Sequence, residues 1–195
     1  MKKVIALLAL FSVAVFAQNT FTDPRDGKKY KSVEIGSQTW MAQNLDYHGE
    51  DGFLGLCYGD QPRNKIKKPE NCQKYGRLYN WNEAMKACPS GWHLPSKAEW
   101  DALVDLVGGV EVAGKKLRAK TLDNSTDDYG FSALMGGSGH SSFGFYNVGN
   151  YGYWWSATEL NANNAYYRLM YYDIDSVSRN YHDKSSLYSV RCVQD

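Results

Sequence analysis

Residues 88–109 read CPSGWHLPSKAEWDALVDLVGG, and this stretch divides the chain into a part with helices and a part built from short strands. Ser96 and Glu99 form a capping box, each side chain able to reach the other residue's backbone N–H. Trp100, Leu103, Val104 and Val107 follow at i, i+3, i+4 and i+7, which places them on one apolar stripe of a helix. Gly108-Gly109 ends it, since glycine tolerates a left-handed cap. Just upstream, Pro89-Ser90-Gly91 makes a turn and Trp92 to Pro95 a short extended piece. A second helix is expected over Tyr79 to Ala87. It stops before Cys88-Pro89, because the residue preceding proline resists the helical region.

On the N-terminal side, Asp23-Pro24-Arg25-Asp26-Gly27 is turn chemistry. Lys29 to Ile35 alternates as a strand does, and Gln38 to Gln43 reads as its hairpin partner across Gly36-Ser37. Residues 46–74 are polar and without period, so a long loop is expected there. On the C-terminal side, Phe131 to Met135, Phe143 to Val148, Tyr153 to Thr158, Ala165 to Asp173 and Leu187 to Val193 are short apolar or alternating runs. Gly, Asn, Ser and Asp separate them, which is a strand-and-turn pattern. The lysine runs Lys65 to Lys68 and Lys115 to Lys120 are short and read as solvated faces. No repeat of 20–50 residues is visible.

The whole chain has 195 residues, 22 Lys+Arg and 21 Asp+Glu, for a net charge of +1. That bounds it to about one domain, and the lack of basic excess argues against nucleic acid as a partner. A 43% hydrophobic and 22% charged composition is that of a folded chain. Lys2 and Lys3 precede an apolar run, Val4 to Ala17, that ends in Val15-Phe16-Ala17. This is the pattern of a secretory signal peptide over residues 1–17, followed by a single domain over 18–195. A membrane anchor is the alternative, but the run is shorter than the ~20 residues a bilayer span needs. No later run is apolar and long enough to span. Cys57, Cys72, Cys88 and Cys192 all lie in the exported part, where an even count reads as two disulfides with three possible connectivities. A local Cys57–Cys72 pair would close the excursion from Tyr58 to Asn71 and leave Cys88–Cys192. The spacings contain no C-x-x-C, so zinc and redox roles are disfavoured.

The most unusual number is 15 Tyr with 6 Trp. They concentrate around Tyr151, Tyr153, Trp154, Trp155, Tyr166, Tyr167, Tyr171 and Tyr172. Sugar rings present apolar C–H faces that stack on such rings, while Asn, Asp and Arg bond the hydroxyls; rings of this type also serve protein contacts. Tyr151, Tyr153, Trp155, Arg168 and Tyr171 are the candidate ligand-binding residues. Trp154 and Trp155 point to opposite faces of their strand, so at least one of them is expected in the core. The Gly136 to Gly152 stretch, with Phe143, Phe145 and Tyr146, suits an adaptable ligand-facing loop.

Several ordered motifs resemble one family: FTDPRDGKKY at 21–30, IGSQTWMAQNL at 35–45, YGRLYNW at 75–81, CPSGWHLP at 88–95, YGFSAL at 129–134, YWWSAT at 153–158 and SVRCV at 189–193. Together they look like the Fibrobacter succinogenes major paralogous domain, over Phe21 to Val193. Its members are generally exported or surface proteins without an assigned activity. More distantly, His93 to Trp100 is similar to the R-L-P-T-E-A-E-W stretch of formylglycine-generating proteins, a branch of the C-type lectin-like fold. That resemblance implies an α+β fold: two helices packed on small antiparallel sheets, long loops and two disulfides. It also supports Cys88–Cys192, since a helix cysteine and a last-strand cysteine often pair in that fold.

The resemblance does not carry the oxidase activity, because the reactive cysteine pair has no recognisable counterpart here. His93, His140 and His182 could each act as a base, and Ser138, Ser141 and Ser142 surround His140, yet no complete catalytic constellation is present. The expectation is no enzyme and no required cofactor. Asp123, Asp127 and Asp128 are the candidates for a structural calcium ion, although their stretch fails the EF-hand spacing and the sugar–calcium motifs of true C-type lectins are absent. The reading is a secreted or cell-surface, non-catalytic binding module for a polysaccharide or a surface protein. A structural, adhesin-type subunit and an enzyme of unknown chemistry are the alternatives.

Overall fold

A computed structural model describes residues 18–52, 54–140 and 144–195. The expected signal segment, residues 1–17, lies outside the described residues, as do Ser141, Ser142 and Phe143. Among the described residues, two sheets and four α-helices make an α+β arrangement.

The smaller sheet has strand order β1-β2-β3-β12-β5. It holds β1 (Gln18–Thr22), β2 (Lys29–Ile35), β3 (Gln38–Met41), β5 (Trp92–His93) and β12 (Val193–Gln194). The first and last strands of the described chain therefore share one sheet. The larger sheet runs β10-β9-β8-β11-β6-β7, with β4 beside β11. Its strands are β4 (Leu78–Tyr79), β6 (Ser138–His140), β7 (Gly144–Tyr146), β8 (Tyr151–Glu159), β9 (Asn164–Tyr171), β10 (Val177–Asp183) and β11 (Ser186–Ser189). Most pairings are antiparallel, but β11 meets β8 in parallel, Ser189 opposite Trp154.

The helices are α1 (Pro69–Tyr75), α2 (Trp81–Ala87), α3 (Lys97–Leu106) and α4 (Val110–Leu117). The Ser96–Glu99 capping box forms as expected, and Trp100, Leu103 and Val104 turn inward from α3. A second box starts α2: Asn80 accepts from Glu83 N at 3.0 Å while Glu83 accepts from Asn80 N at 3.0 Å. It satisfies two orphan donors and moves the helix start to Trp81, two residues later than expected.

At its centre the larger sheet is covered on both faces, and β8 shows how. Trp154 packs into one cluster with Trp40, Trp100, Phe131 and Met170, beneath α3 and α4. Trp155 packs into another with Trp81, Tyr167 and Tyr188, on the α2 side. Each buried indole finds an acceptor, as a buried N–H must. Trp154 Nε1 donates to Asn44 Oδ1 (2.9 Å) and Trp155 Nε1 to Tyr79 O (2.8 Å). Trp81 Nε1 donates to Ser156 O (2.9 Å) and Trp100 Nε1 to Trp155 O (3.3 Å). Two helices are thus hung from the backbone of one strand.

Disulfides join Cys57 to Cys72 and Cys88 to Cys192. The first fastens α1 to the preceding loop. The second ties the end of α2 to the residue before β12.

Several expectations need correction. Residues 46–74 are not a bare loop: they contain a 3-10 turn at Pro62–Asn64 and most of α1, which starts at Pro69, a residue already fixed for a first helical turn. The lysines of Lys115 to Lys120 are in part the solvent side of α4, whose Ala113, Gly114 and Leu117 face inward. Phe131 to Met135 is no strand beyond a single bridge at Ala133. Ser132 there has φ +54°, held by Asp127, whose Oδ1 takes Ser132 N (2.8 Å) and whose Oδ2 takes the hydroxyl (2.6 Å). Leu187 to Val193 is divided between the two sheets. Between β11 and β12 the fully buried Arg191 turns its guanidinium onto Phe131 O, Ser132 O and Asn44 Oδ1. Burial pushes Arg191 down to about 9, and it keeps a cation–π contact with Phe131 at 4.3 Å. The strand β10 is an element the sequence pattern did not signal.

Candidate functional site

Beyond α2, the same face of the larger sheet carries Tyr153, Tyr167 and Tyr188. β8–β9 pairing sets Tyr153 beside Tyr167, and β11, inserted parallel to β8, adds Tyr188. Tyr153 and Tyr188 stack with centroids 5.0 Å apart, and Tyr167 lies 4.9 Å from Tyr188. Tyr151 and Tyr171 extend the patch, edge to face at 4.8 Å.

Tyr153, Tyr167 and Tyr188 floor a groove of about 600 Å³, which Tyr151 and Tyr171 adjoin without lining, within the range of small-ligand sites. Its rim is polar: Ser138 and His140 from β6, His182 and Asp183 from β10, and Ser185 and Ser186 from the turn into β11, with Tyr146 of β7 as an aromatic wall. His182 Nδ1 and Ser186 Oγ share a hydrogen bond at 2.8 Å, and His140 Nε2 and Ser185 Oγ one at 3.2 Å. Burial pushes the Tyr153, Tyr167 and Tyr188 hydroxyls up, so at neutral pH they remain uncharged O–H groups. Asn147 Nδ2 donates to the Tyr153 oxygen at 3.4 Å. Flat rings, neutral hydroxyls and two imidazoles, with Tyr146 49% exposed, can stack on one face of a ligand and exchange hydrogen bonds along its edge.

The expected ligand-binding residues separate into two groups. Tyr151, Tyr153 and Tyr171 are half-buried at the surface of the patch. Trp155 and Arg168 are not there: Trp155 is 0% exposed and Arg168 2%. Trp155 is covered because α2 and Tyr188 pack onto it. Arg168 points to the other face, where it pairs with Asp101 of α3, and Arg179 joins the same carboxylate at 3.1 Å. Burial lowers Arg168, while Asp101, desolvated but ringed by cations, is lowered by its bonds to Arg168 and Lys97. Arg168 is a strut between sheet and helix.

The other candidates are dispersed. His93 sits on the smaller sheet, between Asp195 Oδ1 (2.6 Å) and Glu99 Oε1 (2.7 Å). Asp127 is committed to Ser132, and Asp128 N donates to Lys116 O (3.0 Å). Among the described residues, no group of three or more His, Cys, Asp or Glu converges as metal ligands would, so Asp123, Asp127 and Asp128 do not assemble into one. Tyr188, Asp183, Ser185 and Ser186 are site residues that sequence reasoning missed. Tyr188 joins through the parallel contact of β11 with β8, Ser186 through β11–β6 pairing and Asp183 through β10, contacts between distant segments that periodicity does not record.

The fold and groove define a disulfide-braced α+β domain with an aromatic recess on its larger sheet. The model of the Fibrobacter succinogenes major domain matches residues 33–194, and the chain belongs to that family. No curated protein and no solved structure matches it.

Proposed function

We propose that this protein is an exported, non-catalytic binding module that holds polysaccharide in the tyrosine groove. The observation that carries the reading is the convergence of Tyr146, Tyr153, Tyr167 and Tyr188 with hydroxyl and imidazole groups in one open recess. A pyranose ring has an apolar face for the rings to stack on and equatorial hydroxyls for Ser138, Ser185, His140 and His182 to bond. Loops around a rigid sheet are the usual place for such contacts.

Export fits the Val4 to Ala17 segment and the two disulfides, which persist in oxidising compartments. Among the described residues no helix is long and apolar enough to cross a membrane. A C-type lectin-like fold is proposed on three features: first and last strands in one sheet, a disulfide from the end of α2 to the residue before the last strand, and helices packed on small sheets.

The test is affinity electrophoresis of the disulfide-bonded protein through gels containing neutral polysaccharides, with and without EDTA. Retardation that Tyr146→Ala and Tyr153→Ala remove supports the reading. Free migration in every polymer would count against it and favour a structural subunit of the cell surface.

A further inference from the structure

A second recess, of about 430 Å³, lies between β2 and α1 and shares no lining residue with the first. Lys28, Lys29, Lys31 and Lys74 line it, with Asp46 as the one carboxylate. In a chain of net charge +1 this is a concentrated positive field. Asp46 is already neutralised, since Lys28 and the guanidinium of Arg77 both pair with it. Lys29, Lys31 and Lys74 form no ion pair among the described residues. Their surroundings explain this. Lys29 and Lys31, both exposed, share one face of the first half of β2, ~7 Å apart, and their partners in β1 are Thr22 and Thr20. Like charges placed so close, with no carboxylate across the strand, cost stability in the free protein.

The remaining lining is uncharged. Gln73 and Thr121 supply an amide and a hydroxyl, and Gln43 its amide nitrogen, around a floor of buried Tyr30, Ala42 and Cys72, while the Ser132 hydroxyl is held by Asp127 and the Gln43 oxygen by Lys31 N. Cys72 is bonded to Cys57, so the α1 wall that carries Gln73 and Lys74 is covalently fixed. Lysines are point charges, without the planar fork that takes carboxylate or phosphate bidentately, so each pairs singly with either anion. No exposed ring in the recess offers a base a stacking platform. Separated cations alternating with amides and hydroxyls match a chain of sugar hydroxyls that bears a carboxylate at intervals.

We propose that this recess binds acidic, uronate-bearing polysaccharide, as a site separate from the tyrosine groove. The test uses the full disulfide-bonded chain in affinity gels of polygalacturonate at low salt. The triple variant Lys29→Ser, Lys31→Ser, Lys74→Ser is expected to bind roughly tenfold or more weakly, from three lost surface charge contacts, with circular dichroism unchanged. Lys65→Ser, Lys67→Ser, Lys86→Ser removes the same net charge outside the recess and is expected to bind as the parent does. Tyr146→Ala with Tyr153→Ala is also expected to leave polygalacturonate binding intact, which keeps this site's failure distinguishable from that of the groove. The proposal is overturned if the parent is not retarded, if the two lysine triples weaken binding equally, or if inorganic polyphosphate competes as well as oligogalacturonate at equal charge.

Discussion

Asn44 Oδ1 accepts the Trp154 indole N–H at 2.9 Å, and the same oxygen takes Arg191 Nε at 2.9 Å. One amide thereby satisfies the central indole of β8 and the buried guanidinium at the crossover between the sheets. Its Nδ2 donates to Tyr75 O at 2.8 Å, at the end of α1. Asn44→Ala leaves two buried donors without an acceptor, one of them charged. Leaving each such group unpaired costs ~1–3 kcal/mol, so a loss of about 2–6 kcal/mol is expected. Guanidinium denaturation should show the midpoint fall at unchanged slope; a loss below 1 kcal/mol would mean that water replaces the amide without cost.

Gly114 lies inside α4, where replacing glycine by alanine ordinarily stabilises by ~1 kcal/mol. Here the opposite sign is expected. A Cβ on Gly114 would sit 2.6 Å from Ser176 O and 2.7 Å from Asp175 O, both backbone atoms. Lys115 N donates to Asp175 O at 3.1 Å, which holds that loop against the helix. Gly114→Ala should therefore destabilise by ~1–3 kcal/mol through overpacking, read as a lower Tm. A Tm equal to or above the parent's would show that the loop before β10 yields freely.

The two disulfides should differ in weight. Cys88–Cys192 spans a sequence separation of 104 and Cys57–Cys72 one of 15. In the chain-entropy account the longer loop constrains the unfolded chain more, with ~4.7 kcal/mol against ~3. Cys88→Ser is expected to lower stability by ~2–5 kcal/mol or prevent folding, and Cys57→Ser to leave a folded domain with a loosened α1. Intact-mass thiol counting of the parent should give zero free thiols, and four would contradict the pairing.

His93 closes a clasp between Asp195 and Glu99, and Glu99 is itself half of the α3 capping box. Desolvation opposes the charged imidazole, but the hydrogen bonds to the two carboxylates prevail and raise His93 above 6.5. Glu99 is likewise desolvated, yet its bonds to Ser96 and His93 lower it below 4.5. A raised histidine contributes stability that is complete below its unfolded value and is lost as pH rises through the folded one. A lowered carboxylate contributes stability that is present above its unfolded value and is lost as pH falls through the folded one. The clasp is therefore strongest between pH ~4.5 and ~6.5. The fall in Tm from pH 6 to pH 8.5 should be smaller in His93→Gln than in the parent; identical profiles would remove His93 from the pH dependence.

Much of the fold was legible where one local rule decides the outcome. Ser96 and Glu99 announced α3, and the alternation in Lys29 to Ile35 announced β2. Where contacts distant in sequence decide, the reading failed. Nothing local shows that Arg191 breaks one expected strand into two, or that Asp127 and Arg191 together hold Ser132 at positive φ. The second capping box, Asn80 with Glu83, was there to be read, whereas α4 is only eight residues long, has Gly114 inside it and lacks a capping side chain, so its period was too short to stand out. For the site, strand alternation alone sets Arg168 on the face opposite Tyr167 and Tyr171, and grouping Arg168 with Tyr171 at one ligand overlooked it. It could not tell that Trp155 is covered by α2 while Tyr153, two residues earlier on the same face, is not.

The measurement that bears most directly on function is the mobility of the parent and of Tyr146→Ala, Tyr153→Ala in gels of neutral polysaccharide. Both variants should fold, because Tyr146 is exposed and Tyr153 lies at the margin of its cluster. The account expects the parent to be retarded by at least one neutral polymer and each variant to be retarded less, by roughly the tenfold in affinity that a lost stacking ring of ~1.4 kcal/mol represents. Equal retardation of parent and variants, or none in any neutral polymer, would contradict the tyrosine groove as the binding site.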